Sequence, residues 1–596
     1  MKLPFTKSKA TQSNEAVEAP PKQPGFWKSF EWKLMLALLF PVTLETLDYT
    51  VVATAQSHIA SVFNALNLQS WIGTSYLLTS TVFLPFFAAV ADVYGRHVGL
   101  QISLVFFLVG SALSTGAVNI IMVLAGRGIA GVGAAGLLTI VRTILSDTTS
   151  LNANNLQQSA MFFLYCVGFS VGPVIGGFLV TASFRWVFAI NLPCTIFAMV
   201  FCYLFLRKQV RGANTPDELP LSGQLDTWIS RLAYIDWIAT FLFISAGILV
   251  LLALNWGPTD NWKSARTIAN LVIGAILFVS CMVWEIILEK KRHSLGRVSG
   301  VFRARPMIPL EMFTSLDMCI VQYGAFVSGI VMFVMFYFVA IFMTVVTGLP
   351  SSQAGIQLLY FAPGLGAGSL ISMRLLQRLR QPIYPILLGS VIMTVGLGLI
   401  QMAMQKNIQG EVDGFMAMCG VGVGLTAGPL VVQARFIKPD HVAISNAMLL
   451  FFRAFGGTAG LAQCFTIMNS KVDSYILNAI SNGTISGTDL AVLAGLYEGG
   501  GLSSIQSLDG LPDEVQTVIR DAFRNAVRWS FVSLIPWAGL ATLSSLFLSK
   551  IEDTDLNATA KVTQGGLVTQ EKEKIQGSDG GEVNSSPEQL PAAAVA

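Results

Sequence analysis

Apolar runs long enough to cross a bilayer recur along the whole chain, and the charged and turn-forming residues collect in the short stretches between them. A helix rises 1.5 Å per residue, so about 20 apolar residues span roughly 30 Å of hydrocarbon. Runs of this kind fall at 34–57, 70–91, 98–117, 119–144, 160–182, 187–206, 233–254, 267–288, 316–345, 353–373, 383–403, 412–434, 443–468 and 527–549. They predict an all-α polytopic membrane protein with fourteen transmembrane helices.

Lysine and arginine supply a second pattern. The N-terminal tail, Arg96, Arg207 to Arg211, Lys290 to Arg292 with Arg303 and Arg305, the set Arg374, Arg378 and Arg380, and Arg435 with Lys438 all fall in alternate loops. The positive-inside rule makes these loops cytoplasmic, which predicts both termini inside and segment 470–526 outside. The opposite loops are poor in cations, with Arg185, Lys263 and Arg266 the main exceptions. Asn482-Gly483-Thr484 lies in the outer segment and is an N-glycosylation acceptor on the accessible side. Similar triplets at Asn557 and Asn584 sit in the inner tail, where no modification is expected.

Two longer cytoplasmic connections, 208–231 and 289–315, separate a helix pair from two blocks of six spans. The expected organisation is a disordered N-terminal tail with an aromatic and basic interfacial anchor at 1–33, then a six-helix bundle at 34–207. Linkers with an inserted pair at about 233–288 occupy 208–315, a second six-helix bundle with the outer loop 470–526 covers 316–549, and a disordered tail covers 550–596. This is the plan of a duplicated transporter with an insertion. The blocks echo one another weakly, as Gly422-Val423-Gly424 does Gly131-Val132-Gly133 and the run Phe455 to Gly460 does the glycine-rich fifth span.

Composition agrees with this reading and narrows it. Apolar residues make up 53% and charged residues 12%, about half the charged share of a soluble protein. The net charge of +3 is small and its cations mark sidedness, so nucleic acid is not an expected partner. The seven cysteines lie within apolar runs with no paired spacing and read as packing residues, with no disulfide or metal site expected. No nucleophile–base constellation, phosphate loop or metal spacing appears, so neither an enzyme nor a cofactor is expected. The polar first 25 residues lack an apolar signal-peptide core, and the first span is expected to act as its own insertion signal.

Against this background the intramembrane charges stand out. Glu45 and Asp48 lie in the first apolar run, with Asp48 roughly 22 Å along a helix that begins near Lys33. A charged aspartate at that depth costs on the order of 3 kcal/mol, so it must face protein or a wet cavity and hold a partner or a proton. Arg127, about 12 Å into the fourth span from the other side, reaches a similar level. Such an arginine and acid neutralise each other, and protonating the acid frees the arginine; a fixed ion pair that only sets helix register is the alternative. Between the second and third spans, Asp92, Gly95 and Arg96 form a tight turn that can clasp two helix blocks, or remain an ordinary surface ion pair. The fifth span carries Gly168, Gly172, Pro173, Gly176 and Gly177, a run that weakens the helix ladder and flattens one face, as a hinge or a close contact needs. Arg453 lies about 18 Å into the thirteenth span with no acid at mid-depth in its own block. It therefore reaches the first-span carboxylates, meets an anionic group on a substrate, or snorkels to the inner surface.

Together these residues resemble the major facilitator superfamily, and within it the fourteen-span drug:proton antiporters found in fungi. The Asp92-to-Arg96 turn is similar to the signature between spans two and three, and Arg127 to Ala135 to the fourth-span signature. Gly168 to Gly177 fits the antiporter signature GxxxGPxxGG, and Leu47 to Val52 the first-span LDxTVV. Ala88, Val93, His97, Ala130 and the Phe184-Arg185-Trp186 stretch depart from the usual residues, Glu45 is an added acid, and the second block has no counterpart of Asp92.

The resemblance implies two bundles rocking about a central cavity, with a small amphiphilic substrate leaving as protons enter. Asp48, then Glu45, become the proton carriers, Arg127 their modulator, Asp92, Gly95 and Arg96 the cytoplasmic gate, and the fifth-span glycines with Pro173 the hinge. A monomer in the plasma membrane is expected, with a vacuolar or other internal membrane as the alternative. A proton-coupled importer or carrier of one solute, and a non-transporting sensor, are the competing functions; the short, featureless tails disfavour the sensor.

Overall fold

The computed structural model describes residues 32–551, apart from 66–67, 148–156, scattered positions between 158 and 182, 208–209, 211–229, 261, 295–301, 303, 350 and 483–511. Both tails, the anchor residues before Trp32, Pro173, Gly177 and much of the linkers lie outside the described residues. Every regular element among the described residues is helical, as apolar chain must be where only its own segment can satisfy its peptide groups.

The first block contains α1 (Trp32–Val62), α2 (Gln69–Val82), α3 (Leu84–Tyr94), α4 (Arg96–Thr115) and α5 (Ile120–Ser146). A helix described in part between 157 and 179 follows, then α6 (Phe184–Ala189) and α7 (Asn191–Leu206). The inserted pair is α8 (Trp237–Asp260) and α9 (Ala265–Ser294). The second block contains α10 (Leu316–Ile341), α11 (Phe361–Leu379), α12 (Ile383–Lys406), α13 (Gln409–Ile437), α14 (Val442–Ser481), α15 (Asp513–Val532) and α16 (Ile535–Ser545).

Among the described residues, 12 helices are long and apolar enough to cross a membrane. The expected second span is one further crossing broken into α2 and α3, which meet at a bend of 46°. Pro85 causes it, since a ring in the first turn of α3 cannot continue the hydrogen-bond ladder from α2. The run at 160–182 falls largely outside the described residues.

One boundary differs from expectation for a clear reason. Segment 470–526 reads as an outer loop, yet α14 continues to Ser481 and α15 begins at Asp513. Val472, Ile476 and Ala479 form one buried stripe and Val515, Ile519, Ala522 and Phe523 another. Polar residues on the opposite faces, Asp473 and Asp521 among them, dilute these amphipathic stripes below what an apolar run requires.

The two blocks repeat one pairing plan. In the first, α4 and α2 pack on α5 and α1 packs on α7; in the second, α12 and α11 pack on α13 and α10 packs on α16. Small residues make these approaches possible, because a Cβ on Gly133 would strike the backbone of Phe107 and one on Gly424 the backbone of Leu365. The faint glycine echo between the spans is therefore a repeated packing contact.

The inserted pair is not a peripheral addition. α8 packs on α2 of one block and on α14 of the other. At one end Trp262 donates its indole N–H to Thr466 at 2.9 Å, Asn469 donates to the Pro258 carbonyl at 3.0 Å, and Trp256 meets Trp71 with ring centroids 5.8 Å apart. The blocks also meet directly at the cation-rich end. There Leu137, Ile140 and Ile144 share a buried apolar core with Val431, Ile444 and Met448. Towards the opposite end a cavity of about 310 Å³ remains between α2, α8, α10 and α14.

Candidate functional site

α1 is almost wholly apolar around Pro41, and its polar residues line up at the bundle centre. Thr46 and Thr50 turn their hydroxyls back onto the carbonyls of Val42 and Thr46, at 2.9 and 2.8 Å, so neither leaves an unmet group in the interior. The fifth-span helix lies against this face. A Cβ on Gly168 would collide with Thr46 and one on Gly172 with Thr50, so glycine lets the two helices touch. Gly176 is helical and buried on the same element.

Asp48 is sealed in, with 1% of its surface exposed. Arg127 Nη1 of α5 donates to its Oδ2 at 2.6 Å, and Asn191 Nδ2 of α7 donates to its Oδ1 at 2.7 Å. Arg127 is itself only 1% exposed. Its Nε donates to the Ile72 carbonyl at 3.3 Å, and its guanidinium lies 4.2 Å from the centre of the Tyr76 ring, both on α2. Four helices thus converge on one ion pair. A buried pair survives only when its remaining lone pairs and protons are satisfied, which is what Asn191, Ile72 and Tyr76 do.

Glu45 does not share that pair. One turn away on α1, it lies within Coulombic reach of Asp48, Arg142 of α5 and Arg453 of α14, and its buried Oε2 has no hydrogen-bond donor among the described residues. Arg142 is also hydrogen-bonded to the Tyr165 hydroxyl. Arg453 points its Nη2 at the Met332 sulfur, 2.9 Å away, and faces the interface between the blocks.

The expected gate is assembled at the cation-rich end. Gly95 takes φ 92° and ψ 156°, a conformation closed to side chains, and so turns α3 into α4 without a loop. Arg96, only 2% exposed, bonds the carboxylate of Asp92 and, through Nε, Asp147 at 3.2 Å. Beside it, Arg435 Nε of α13 crosses between the blocks and donates to the Ser146 carbonyl at 2.7 Å. Lys438 and Glu311 form a further ion pair at 2.6 Å. α5 links the two sites, since it carries Arg127 two turns from its start and Ser146 roughly 28 Å further along at its cation-rich end.

Sequence reasoning missed Asn191, Arg142, Asp147 and Ser146. Asn191 and Arg142 had a signal of the kind that exposed Asp48, a polar residue inside an apolar run, whereas Asp147 lies just past such a run and Ser146 contributes only a backbone carbonyl, which any residue supplies. Asn482 closes the C-terminal end of α14 as its cap residue, while Gly483 and Thr484 fall outside the described residues. Among the described residues no group of His, Cys, Asp and Glu is placed to hold a metal ion.

Two helical blocks with an internal repeat, closed at one end around a buried acid–arginine pair, define a polytopic membrane transporter. The profile of the Major Facilitator Superfamily matches residues 38–461, and the chain belongs to that superfamily. It is similar to the MFS-type transporter ppz2 of Metarhizium majus, 28% identical over 553 residues covering 91% of this chain and 90% of the relative. It is also similar to the MFS-type efflux pump LUC4 of a Fusarium species, 27% identical over 85% of this chain and 86% of the relative. The efflux pump FUS6 of Gibberella moniliformis is 28% identical over 86% of each chain. Among solved structures, the proton:xylose symporter XylE aligns with a TM-score of 0.53 at 12% identity, covering 87% of this chain and 96% of its own, a likeness of fold. Members of this superfamily are transporters rather than enzymes.

Proposed function

We propose that the chain is a proton-coupled exporter that moves amphiphilic small molecules outward across the plasma membrane by alternating access. One observation carries this reading: Asp48, in mid-membrane, is held by Arg127 and Asn191 and so ties α1, α5, α7 and α2 together through a group that a proton neutralises. Protonation removes the charge that holds Arg127 Nη1, leaving the guanidinium, among the described residues, the Ile72 carbonyl and the Tyr76 and Phe188 rings. α5 is then free to shift and, through its inner end, to disturb the Ser146 to Arg435 contact and the Arg96 cluster that shut the cation-rich side. Glu45 is the second acid available to the cycle. Gly168, Gly172, Pro173, Gly176 and Gly177 serve as the hinge surface on which α1 slides, and Asp92, Gly95 and Arg96 as the inner gate.

Relatives named as efflux pumps, LUC4 and FUS6 among them, favour export over uptake. Asn482 is the glycosylation site of this reading. The test is accumulation of lipophilic dyes in cells overproducing the protein, with and without a protonophore. Asp48→Asn, which keeps the size of the side chain, is expected to reach the membrane at normal abundance and to lose protonophore-sensitive efflux. Efflux that is unchanged in this variant refutes the assignment.

A further inference from the structure

The inserted helix α8 lies across the seam between the two blocks, and its outer half lines the cavity there. It rests on the first block where Gly247 packs against Val82 of α2, and it is bonded to the second where Asn469 of α14 donates to the Pro258 carbonyl at 3.0 Å. Between these contacts Leu251, Leu254 and Asn255, with Pro258 itself, border the cavity of about 310 Å³. Steps of three and four residues put all four on one stripe of the helix. On α14 the same spacing carries Ala454, Thr458, Leu461, Phe465 and Asn469 along the cavity, so α8 and α14 each present a continuous face to it.

The lining has one chemical character. Among the described residues that border the cavity there is no aspartate, glutamate, lysine, arginine or histidine. Arg453, directly before Ala454, is turned to the Met332 sulfur and is not part of the wall. Leu77 and Leu78 of α2, Phe333 of α10 and Leu461 and Phe465 of α14 supply apolar surface. The polar groups are neutral: the side chains of Gln56 of α1, Asn255 of α8 and Tyr337 of α10 border the cavity and make no hydrogen bond to another described residue. An ion entering this space sheds its water and meets no opposite charge, a large cost, whereas a carbonyl or hydroxyl on an uncharged ligand finds amide and phenol partners.

We propose that α8 is a wall of the substrate site, and that Asn255, with Gln56 and Tyr337, selects uncharged lipophilic molecules that carry carbonyl or hydroxyl groups. This deepens the export reading and rests on it. A side-chain amide both donates and accepts, so Asn255 meets a ligand carbonyl through Nδ2 or a ligand hydroxyl through Oδ1. The inserted pair thereby contributes to specificity a residue that neither six-helix block contains.

Purified full-length protein in lipid nanodiscs tests this by fluorescence anisotropy with one fluorophore in three charge forms at neutral pH. These are methoxycoumarin-acetic acid, an anion, its uncharged methyl ester, and its amide with N,N-dimethylethylenediamine, a cation; empty nanodiscs give the background from partitioning into lipid. The ester is expected to bind about tenfold more tightly than either charged form. Asn255→Leu should weaken the ester about fivefold through the lost hydrogen bond. Asn255→Asp should weaken the ester and tighten the cation severalfold, a gain that misfolding does not produce and that stands even where Asn255→Leu fails to fold. Binding of a charged form as tight as that of the ester, no ester binding above empty nanodiscs, unchanged ester affinity in Asn255→Leu, or no gain for the cation in Asn255→Asp overturns the proposal. Binding needs no proton gradient, so a protein that binds the probes as described but gives cells no protonophore-sensitive efflux refutes the export reading and leaves the site standing. Protonophore-sensitive efflux by a protein that fails the binding test refutes the site and leaves the export reading.

Discussion

Asp48 and Glu45 are one turn apart on one helix, and their surroundings give them different work. Asp48 has both carboxylate oxygens occupied by charged or amide donors from other helices, so its negative charge is part of the architecture. Glu45 lies within Coulombic reach of two arginines, and its buried Oε2 has no hydrogen-bond donor among the described residues. Asn191 is the informative residue to change, because it touches Asp48 without carrying charge. Asn191→Leu removes one hydrogen bond to a buried carboxylate, a loss of about 1.5–3 kcal/mol. A lower melting temperature and slower efflux are expected, with efflux still above that of Asp48→Asn; thermal melting and dye efflux on the same preparations check both. An Asn191→Leu variant as inactive as Asp48→Asn would show that the amide does more than hold the carboxylate.

The helices explain which parts of the site could be read from sequence. Asp48, Arg127 and the Asp92 turn were legible because a charge in an apolar run, or a glycine between two charges, is conspicuous wherever it falls. Their partners were not. Arg96 was expected to meet Asp92, yet it also reaches Asp147, 51 positions away, through packing of α4 on α5 that no local pattern encodes. The long α14 and α15 were hidden for the related reason that amphipathic helices packed on each other need only a stripe of apolar residues. The fifth-span glycines were legible as a flat face, and the structure adds what that face touches. Gly172→Ala should push the fifth helix off Thr50 at a cost of about 1–3 kcal/mol and abolish efflux. Thr50→Gly in the same chain removes the colliding atoms and should restore part of the activity, which a dye efflux assay on the single and double variants measures. Gly95→Ala forces a side chain onto φ 92° at a cost of order 1–3 kcal/mol and should loosen the inner turn, raising the labelling of nearby engineered cysteines by a membrane-impermeant thiol reagent applied from the cation-rich side.

Closure at one end and free space at the other are what one state of the proposed cycle requires. The apolar core that joins Leu137, Ile140 and Ile144 to Val431, Ile444 and Met448 excludes water from the cation-rich end, and Arg435 fastens its rim to Ser146. The inserted pair lies along the same interface and is bonded to the second block at its far end through Trp262 and Asn469. On the proposed cycle it would move with that block there, while Gly247 and Trp256, which lie against Val82 and Trp71 of the first, would slide past them. If the blocks rock, the contact between Ser146 and Arg435 must break once per turnover, because α5 and α13 each belong to a different block. A chain carrying Ser146→Cys and Arg435→Cys tests this directly, on a background in which the native cysteines have been replaced. Oxidation should link the two positions without denaturing the protein and stop dye efflux, and a reductant should restore efflux. Undiminished efflux from fully cross-linked protein would mean that the cation-rich end stays shut throughout transport, and the rocking of the blocks would have to be abandoned.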